Sequence, residues 1–221
     1  KHPELHLRSF RGVLQADAFA GYDRLFSTSR EGGVLTEAAC WAHARRKIHD
    51  VYISSQSATA EEALKRIGEL YAIEAEIRGM PETERLAARQ SRSAPLLASL
   101  HEWMVEKSAT LSKKSRLGEA FTYALNQWDA LCYYCRDGLA EPDNNAAERA
   151  LRAVCLGKKN YIFFGSDHGG ERGALLYGLI GTCRLNGIDP EAYLRHILSV
   201  LPEWPSNRVG ELLPWNVAIP A

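Results

Sequence analysis

An excess of charge of either sign is missing from this chain of 221 residues: Lys plus Arg and Asp plus Glu number 27 each, so the formal net charge is zero. A uniformly basic surface is thereby excluded, and any contact with a polyanion has to come from local clusters. Long apolar runs are missing too. The longest mostly apolar stretch, Ala174 to Cys183, is interrupted by glycine and too short to span a bilayer. No signal-peptide pattern opens the chain; it begins with Lys1 rather than Met and is expected to be a fragment or a processed piece. There is no internal repeat and no low-complexity run. The glycine-rich stretch at 165–170 reads as a tight turn and lacks the Gly-Lys-Ser/Thr ending of a phosphate loop. Cysteines are few, odd in number and scattered, at 40, 132, 135, 155 and 183. That pattern argues for reduced, intracellular thiols over a disulfide framework. Cys132 and Cys135 have CxxC spacing, but no second CxxC or His pair lies near them, so packing is expected over zinc.

What is present is ordinary globular composition, 46% hydrophobic and 24% charged, with enough length for a substantial core. The stretch PDNNAAERALRAVCLGKKNYIFFGS at 142–166 is the most informative. Asp143 or Asn144 is a natural N-cap, and Ala147, Leu151 and Val154 form a stripe at helical spacing that is expected to be buried. Glu148 lies beside that stripe, among Arg149, Arg152, Lys158 and Lys159. The plain reading is a helix with a Glu–Arg pair four residues apart; the other is a metal-binding carboxylate beside a phosphate backbone. Gly157 reads as a C-cap and Tyr161–Phe164 as a short strand.

Elsewhere, His2–Phe10 suits a short helix anchored by Leu5 and Phe10. Val13–Asp17 suits a strand with Asp17 at its C-terminal end, and Ala38–Trp41 a second strand. A helix is expected over His43–Tyr52. Residues 58–138 read as a helical insert packed mainly through its own stripes, with a break near Pro95. Helices follow over Glu171–Leu185 and from Pro190 to Leu201, the latter capped by Asp189. The proline-containing tail suits an extended strap.

Two constellations carry chemistry. Asp17 and Glu148 are hard oxygen ligands of the kind magnesium takes, and two such ions about 4 Å apart activate the attacking oxygen and stabilise the leaving one in phosphodiester chemistry. His43, Arg45, Arg46, Lys47 and His49 form a run without an acid directly after Cys40 and Trp41. It suits phosphate contact, or equally the solvated basic side of a helix start.

The motifs LQADAFAGYDRL at 14–25, CWAHARRK at 40–47 and DNNAAERALR at 143–152 occur in order with GKKNYIFFGS at 157–166, LNGIDPEAYL at 185–194 and LLPW at 212–215. Together they resemble the transposases of the insertion-sequence-66 family over nearly the whole chain. The resemblance implies an α/β fold, mostly α by residue count: an incomplete ribonuclease-H-like core (later strands only), a large helical insertion and a helical C-terminal element. Its implied divisions are a partial core at 1–57, the insertion at 58–138, the catalytic helix and rest of the core at 139–184, and the C-terminal element at 185–221. It implies a DDE triad with Asp17 as second acid and Glu148 as third, both holding magnesium, two ions in the complete site. The first acid belongs upstream of Lys1, so this chain alone is expected to be inactive. Phosphate neutralisation falls to His43, Arg45, Arg46, Lys47, Arg149, Arg152, Lys158 and Lys159. The implied partners are DNA (element ends and target), further copies of the protein on DNA, and accessory proteins of the same element. The implied location is the bacterial cytoplasm, with no membrane. The competing expectation is a non-catalytic DNA-binding or assembly remnant of a transposase.

Overall fold

The computed structural model describes residues 2–17 and 20–219, so Ala18 and Phe19 of the first motif and Pro220 of the tail lie outside the described residues. The chain is mostly helical and divides into two compact units, Lys1–Asn145 and Ala146–Ala221. No described helix is long and apolar enough to cross a membrane.

The first unit opens with helix α1 (His2–His6), strand β1 (Val13–Gln15), a 3-10 turn (Ala20–Phe26) and strand β2 (Thr36–Ala38). The strands pair in parallel, Val13 opposite Thr36 and Gln15 opposite Ala38, and Ala16 N–H extends the ladder to the Ala38 carbonyl at 3.0 Å. The second strand therefore ends at Ala38, and Trp41 is already the first residue of helix α2 (Trp41–Ser55). Leu5 and Phe10 do not anchor the N-terminal segment; they are 68% and 40% exposed. Helices α3 (Ala58–Glu76), α4 (Glu82–Ala88), α5 (Ala94–Thr110), α6 (Arg116–Asn126) and α7 (Trp128–Leu131) follow, then a 3-10 turn, Tyr133–Cys135.

Each long helix contributes side chains three or four positions apart. They are Trp41, Ala44, Ile48 and Val51 from α2; Ala60, Ala63, Ile67 and Leu70 from α3; Leu97, Leu100 and Met104 from α5; and Leu117, Phe121 and Ala124 from α6. Burying one such large apolar side chain contributes roughly 1.5–3 kcal/mol. The 58–138 segment also shares its core with α2, which lies against both α3 and α6. Trp41 is the pin: its indole N–H donates to the Leu131 carbonyl at 2.9 Å, and its ring meets Trp128 edge-on at 5.6 Å.

Pro95 does not break the α4–α5 region. A π-helical turn, Arg89–Ser93, joins the two helices, and Pro95 sits in the first turn of α5, where its missing N–H is tolerated. Arg89 in that turn is fully buried. Its guanidinium pairs with Glu74 at 2.8 and 2.7 Å and donates to the carbonyls of Asp137 at 2.9 Å and Ala140 at 2.7 Å. The loop leading to residue 141 is thereby fixed on α3.

The second unit contains α8 (Asn145–Tyr161, all but its first residue), α9 (Asp167–Leu185) and α10 (Pro190–Val200). The expected strand at 161–164 is absent. The first helix runs straight through Gly157, which is no cap: a Cβ there would lie 2.5 Å from the Tyr177 hydroxyl, so glycine permits close approach of α9. The stripe expected on α8 is not a core stripe either, since no residue of that helix is buried and Leu151 is 61% exposed. The glycines at 169 and 170 are helical rather than a tight turn, because Ser166 caps α9 through the Gly169 N–H at 3.1 Å. Asp189 caps α10 as expected, accepting from Ala192 N–H at 2.8 Å. The tail is not an extended strap but forms 3-10 turns, Leu201–Glu203 and Ser206–Leu212. Tyr193 donates its hydroxyl to the Leu212 carbonyl at 2.9 Å and ties the tail to α10.

Candidate functional site

Asp17 lies just beyond the C-terminal end of β1, the position where parallel sheets present ligand-binding groups. Its backbone is held from a distance: Tyr123 on α6 donates its hydroxyl to the Asp17 carbonyl at 3.0 Å. Its carboxylate is partly exposed, with Oδ2 3.9 Å from Nε2 of His43 on α2. Lys47, one turn further along α2, places Nζ 4.6 Å from the centre of the Tyr123 ring. Burial first, and then the Asp17 charge, push the Tyr123 hydroxyl above its ordinary value. Asp17, His43, Lys47 and Tyr123 thus form one cluster.

The basic run at 43–49 is not one patch. His43 and Lys47 face the cluster around Asp17, whereas Arg45, Arg46 and His49 line a cleft of about 540 Å³ with Gly68, Tyr71 and Asn145. Residues four apart share a helix face, so the run separates into two flanks of α2 on either side of its buried stripe. The second flank leaves an open cationic trough.

The approach to α8 is stitched down within the first unit. Gln15 donates its side-chain amide to the Glu141 carbonyl at 2.6 Å, and Trp41 N–H donates to the Pro142 carbonyl at 2.9 Å. Asp143 accepts from the Tyr71 hydroxyl at 3.2 Å and from Asn145 N–H at 3.1 Å. Burial, followed by the charge of Asp143, raises the pKa of Tyr71. Glu148 is half-buried in the first turn of α8, and Arg149, Arg152, Lys158 and Lys159 are exposed along the same helix.

Asp17 suits a hard cation as a single oxygen donor. Among the described residues, however, no group of three or more His, Cys, Asp and Glu side chains is placed to hold a metal. Cys132 and Cys135 pack into the core, and burial pushes their thiols up to about 12 and about 11. Tyr123 and Tyr71 escaped sequence reasoning. Both are aromatic residues at helical spacing, and nothing local marks their hydroxyls as tethers for residues 106 and 72 positions away.

The first unit thus carries a partly exposed strand-end carboxylate beside a cationic helix, and the second unit carries Glu148 on a helix with exposed basic residues. The chain belongs to the IS66 transposase family: residues 1–172 match the family described as Transposase IS66 family, and residues 178–215 match the IS66 C-terminal element. It is similar to three proteins of Sinorhizobium fredii. Uncharacterized protein y4hP is 40% identical over 98% of this chain and 41% of its own length. Uncharacterized protein y4qI is 37% identical over 96% of this chain and 40% of its length, and y4jD is 38% identical over 98% and 43%. The chain therefore spans about two fifths of the length of these relatives. No solved structure matches it.

Proposed function

We infer that this chain is the later part of a DDE transposase catalytic region, which cleaves and joins DNA by magnesium-dependent phosphoryl transfer within a ribonuclease-H-like core. The observation that carries the reading is Asp17 at the end of a parallel strand, its carbonyl anchored by Tyr123 and its carboxylate beside His43, in a chain of the IS66 transposase family. In this reading Asp17 and Glu148 are the metal-holding acids of this chain. Bound magnesium would activate the attacking oxygen and stabilise the leaving one. Tyr123 holds the Asp17 backbone and His43 lies beside its carboxylate, while the stitched segment 141–145 leads into the helix bearing Glu148. Arg45 and Arg46 in their cleft, with Arg149, Arg152, Lys158 and Lys159 on α8, neutralise DNA phosphates. The remaining acid of the triad and the grip on element ends fall to the longer protein, acting as several copies on DNA.

The test is magnesium-dependent cleavage of element-end DNA by the full-length transposase. Asp17→Asn and Glu148→Gln are each expected to abolish cleavage while leaving DNA binding within a few-fold of the parent. Cleavage that survives either change sinks the site assignment.

A second reading is a non-catalytic DNA-binding or assembly role, which the exposed Arg149, Arg152, Lys158 and Lys159 of α8 would serve equally well. It predicts DNA binding that needs no magnesium, together with full-length protein that never cuts. A strand-transfer assay with pre-cut ends separates a transposase from a nuclease of the same fold.

A further inference from the structure

The connection between α8 and α9 has a construction that neither acid of the proposed site requires. The first helix ends at Tyr161, and the next residue, Ile162, is held at φ +66°, a left-handed conformation that is strained for a β-branched side chain. Two backbone hydrogen bonds fix it, Ile162 N–H to the Lys158 carbonyl at 2.8 Å and Phe163 N–H to the Tyr161 carbonyl at 2.7 Å. Gly165, at φ +81°, and the Ser166 cap complete the turn.

Within this turn the three large apolar residues divide. Phe164, 40% exposed, packs back on the helices: its ring centre is 4.9 Å from that of Tyr161, and it lies so close to α9 that a Cβ on Gly173 would come within 2.4 Å of the ring. Ile162 and Phe163 turn outward and are 67% and 71% exposed. Adjacent large apolar side chains exposed on a hydrogen-bonded turn make a small apolar tip, the kind of feature a contact surface uses. Immediately before them come the exposed Lys158 and Lys159 in the last turn of α8. Those cations offset the negative end of the helix dipole, and they also set charge complementary to a phosphate backbone on one side of the apolar tip.

An aromatic ring held out by a strained turn, with cations one helical turn behind it, is the arrangement that stacks on exposed bases or wedges between them. We propose that the α8–α9 tip is a DNA-distorting contact in which Phe163, supported by Ile162, stacks on an unpaired or unstacked base while Lys158 and Lys159 hold the flanking phosphates. This rests on the DNA reading above and extends it from phosphate contact to contact with bases. A phosphodiester enzyme gains from such a contact because unstacking loosens the backbone next to the bond being broken.

The full-length protein is titrated, at low salt, with a fully paired duplex and with the same duplex carrying a central unpaired stretch that contains aminopurine. The parent is expected to prefer the unpaired DNA and to change the aminopurine emission. Phe163→Ala should weaken binding to the unpaired DNA about ten-fold and leave duplex affinity unchanged. Phe163→Trp should keep the preference and have its own fluorescence quenched on binding. Lys158→Gln with Lys159→Gln should weaken both complexes alike. Equal binding of the unpaired DNA by parent and Phe163→Ala overturns the proposal, as does a Phe163→Ala effect confined to self-association in sedimentation, which would make the tip a contact between copies. Duplex binding that persists in either case leaves the DNA reading standing. Absence of any DNA binding by the full-length protein removes both.

Discussion

The Tyr123 hydroxyl and the Asp17 carbonyl, 106 residues apart in sequence, are joined by a hydrogen bond of 3.0 Å. It ties the end of β1 to helix α6, so the position of the acid depends on the helical segment packed beside it.

Tyr123→Phe deletes that donor and keeps the ring under Lys47. The expected loss is about 1 kcal/mol of stability, read from urea unfolding. A pH effect follows from the raised pKa of the hydroxyl. The unfolded chain releases this proton first, so the contribution is complete below about pH 10 and declines as pH rises through the folded value. Unfolding between neutral pH and strong alkali should show a shallower decline in the variant than in the parent. An unchanged slope would remove Tyr123 as a source of the effect.

Arg89 and Glu74 are a buried pair, their side chains 0% and 6% exposed. Arg89→Met leaves Glu74 charged and uncompensated and strands the carbonyls of Asp137 and Ala140, at a cost of about 3–5 kcal/mol. Combining Arg89→Met with Glu74→Met should recover part of this loss. Chemical denaturation of the single and double variants measures the difference, and a single variant as stable as the parent refutes the clamp.

The thiols should react in a fixed order. Cys155 is exposed, whereas Cys40, Cys135 and Cys183 are buried, and burial raises the pKa values of Cys132 and Cys135 to about 12 and about 11. A thiolate-selective reagent at mildly alkaline pH should label Cys155 first and leave Cys132 and Cys135 untouched until the chain unfolds. Peptide mapping after timed labelling gives the order, and early labelling of Cys132 contradicts the packing.

Arg45 and Arg46 line the cleft on one flank of α2, away from the Asp17 cluster. Replacing both with Gln should weaken DNA binding evenly across sequences and lower the slope of log affinity against log salt by about 2. A slope equal to that of the parent would show that the cleft holds no phosphate.

The sequence carries the helices of the first unit well, because their buried residues recur at helical spacing and no partner has to be known to see it. The Asp189 cap of α10 and the ordered motifs of the family are legible for the same reason. The stretch at 157–166 is not. Gly157 looks like a stop and Tyr161 to Phe164 looks like a strand, yet the glycine serves helix approach and the aromatics close a turn. Leu151 also misleads, because periodicity locates a stripe without saying whether anything covers it. The run at 43–49 contains its own division, two residue pairs each four apart, but which neighbour each flank meets depends on α3 and α6.

Because the stripe of α2 lies in the same core as α3, α5 and α6, the segment after it is not a detachable module. Excising residues 58–138 would bare Trp41, Ala44, Ile48 and Val51 to water and remove Tyr123 from behind Asp17. A shortened protein joined from 57 to 139 should accumulate as insoluble aggregate rather than as a smaller folded core. Efforts to trim this chain will have to work around that helical block.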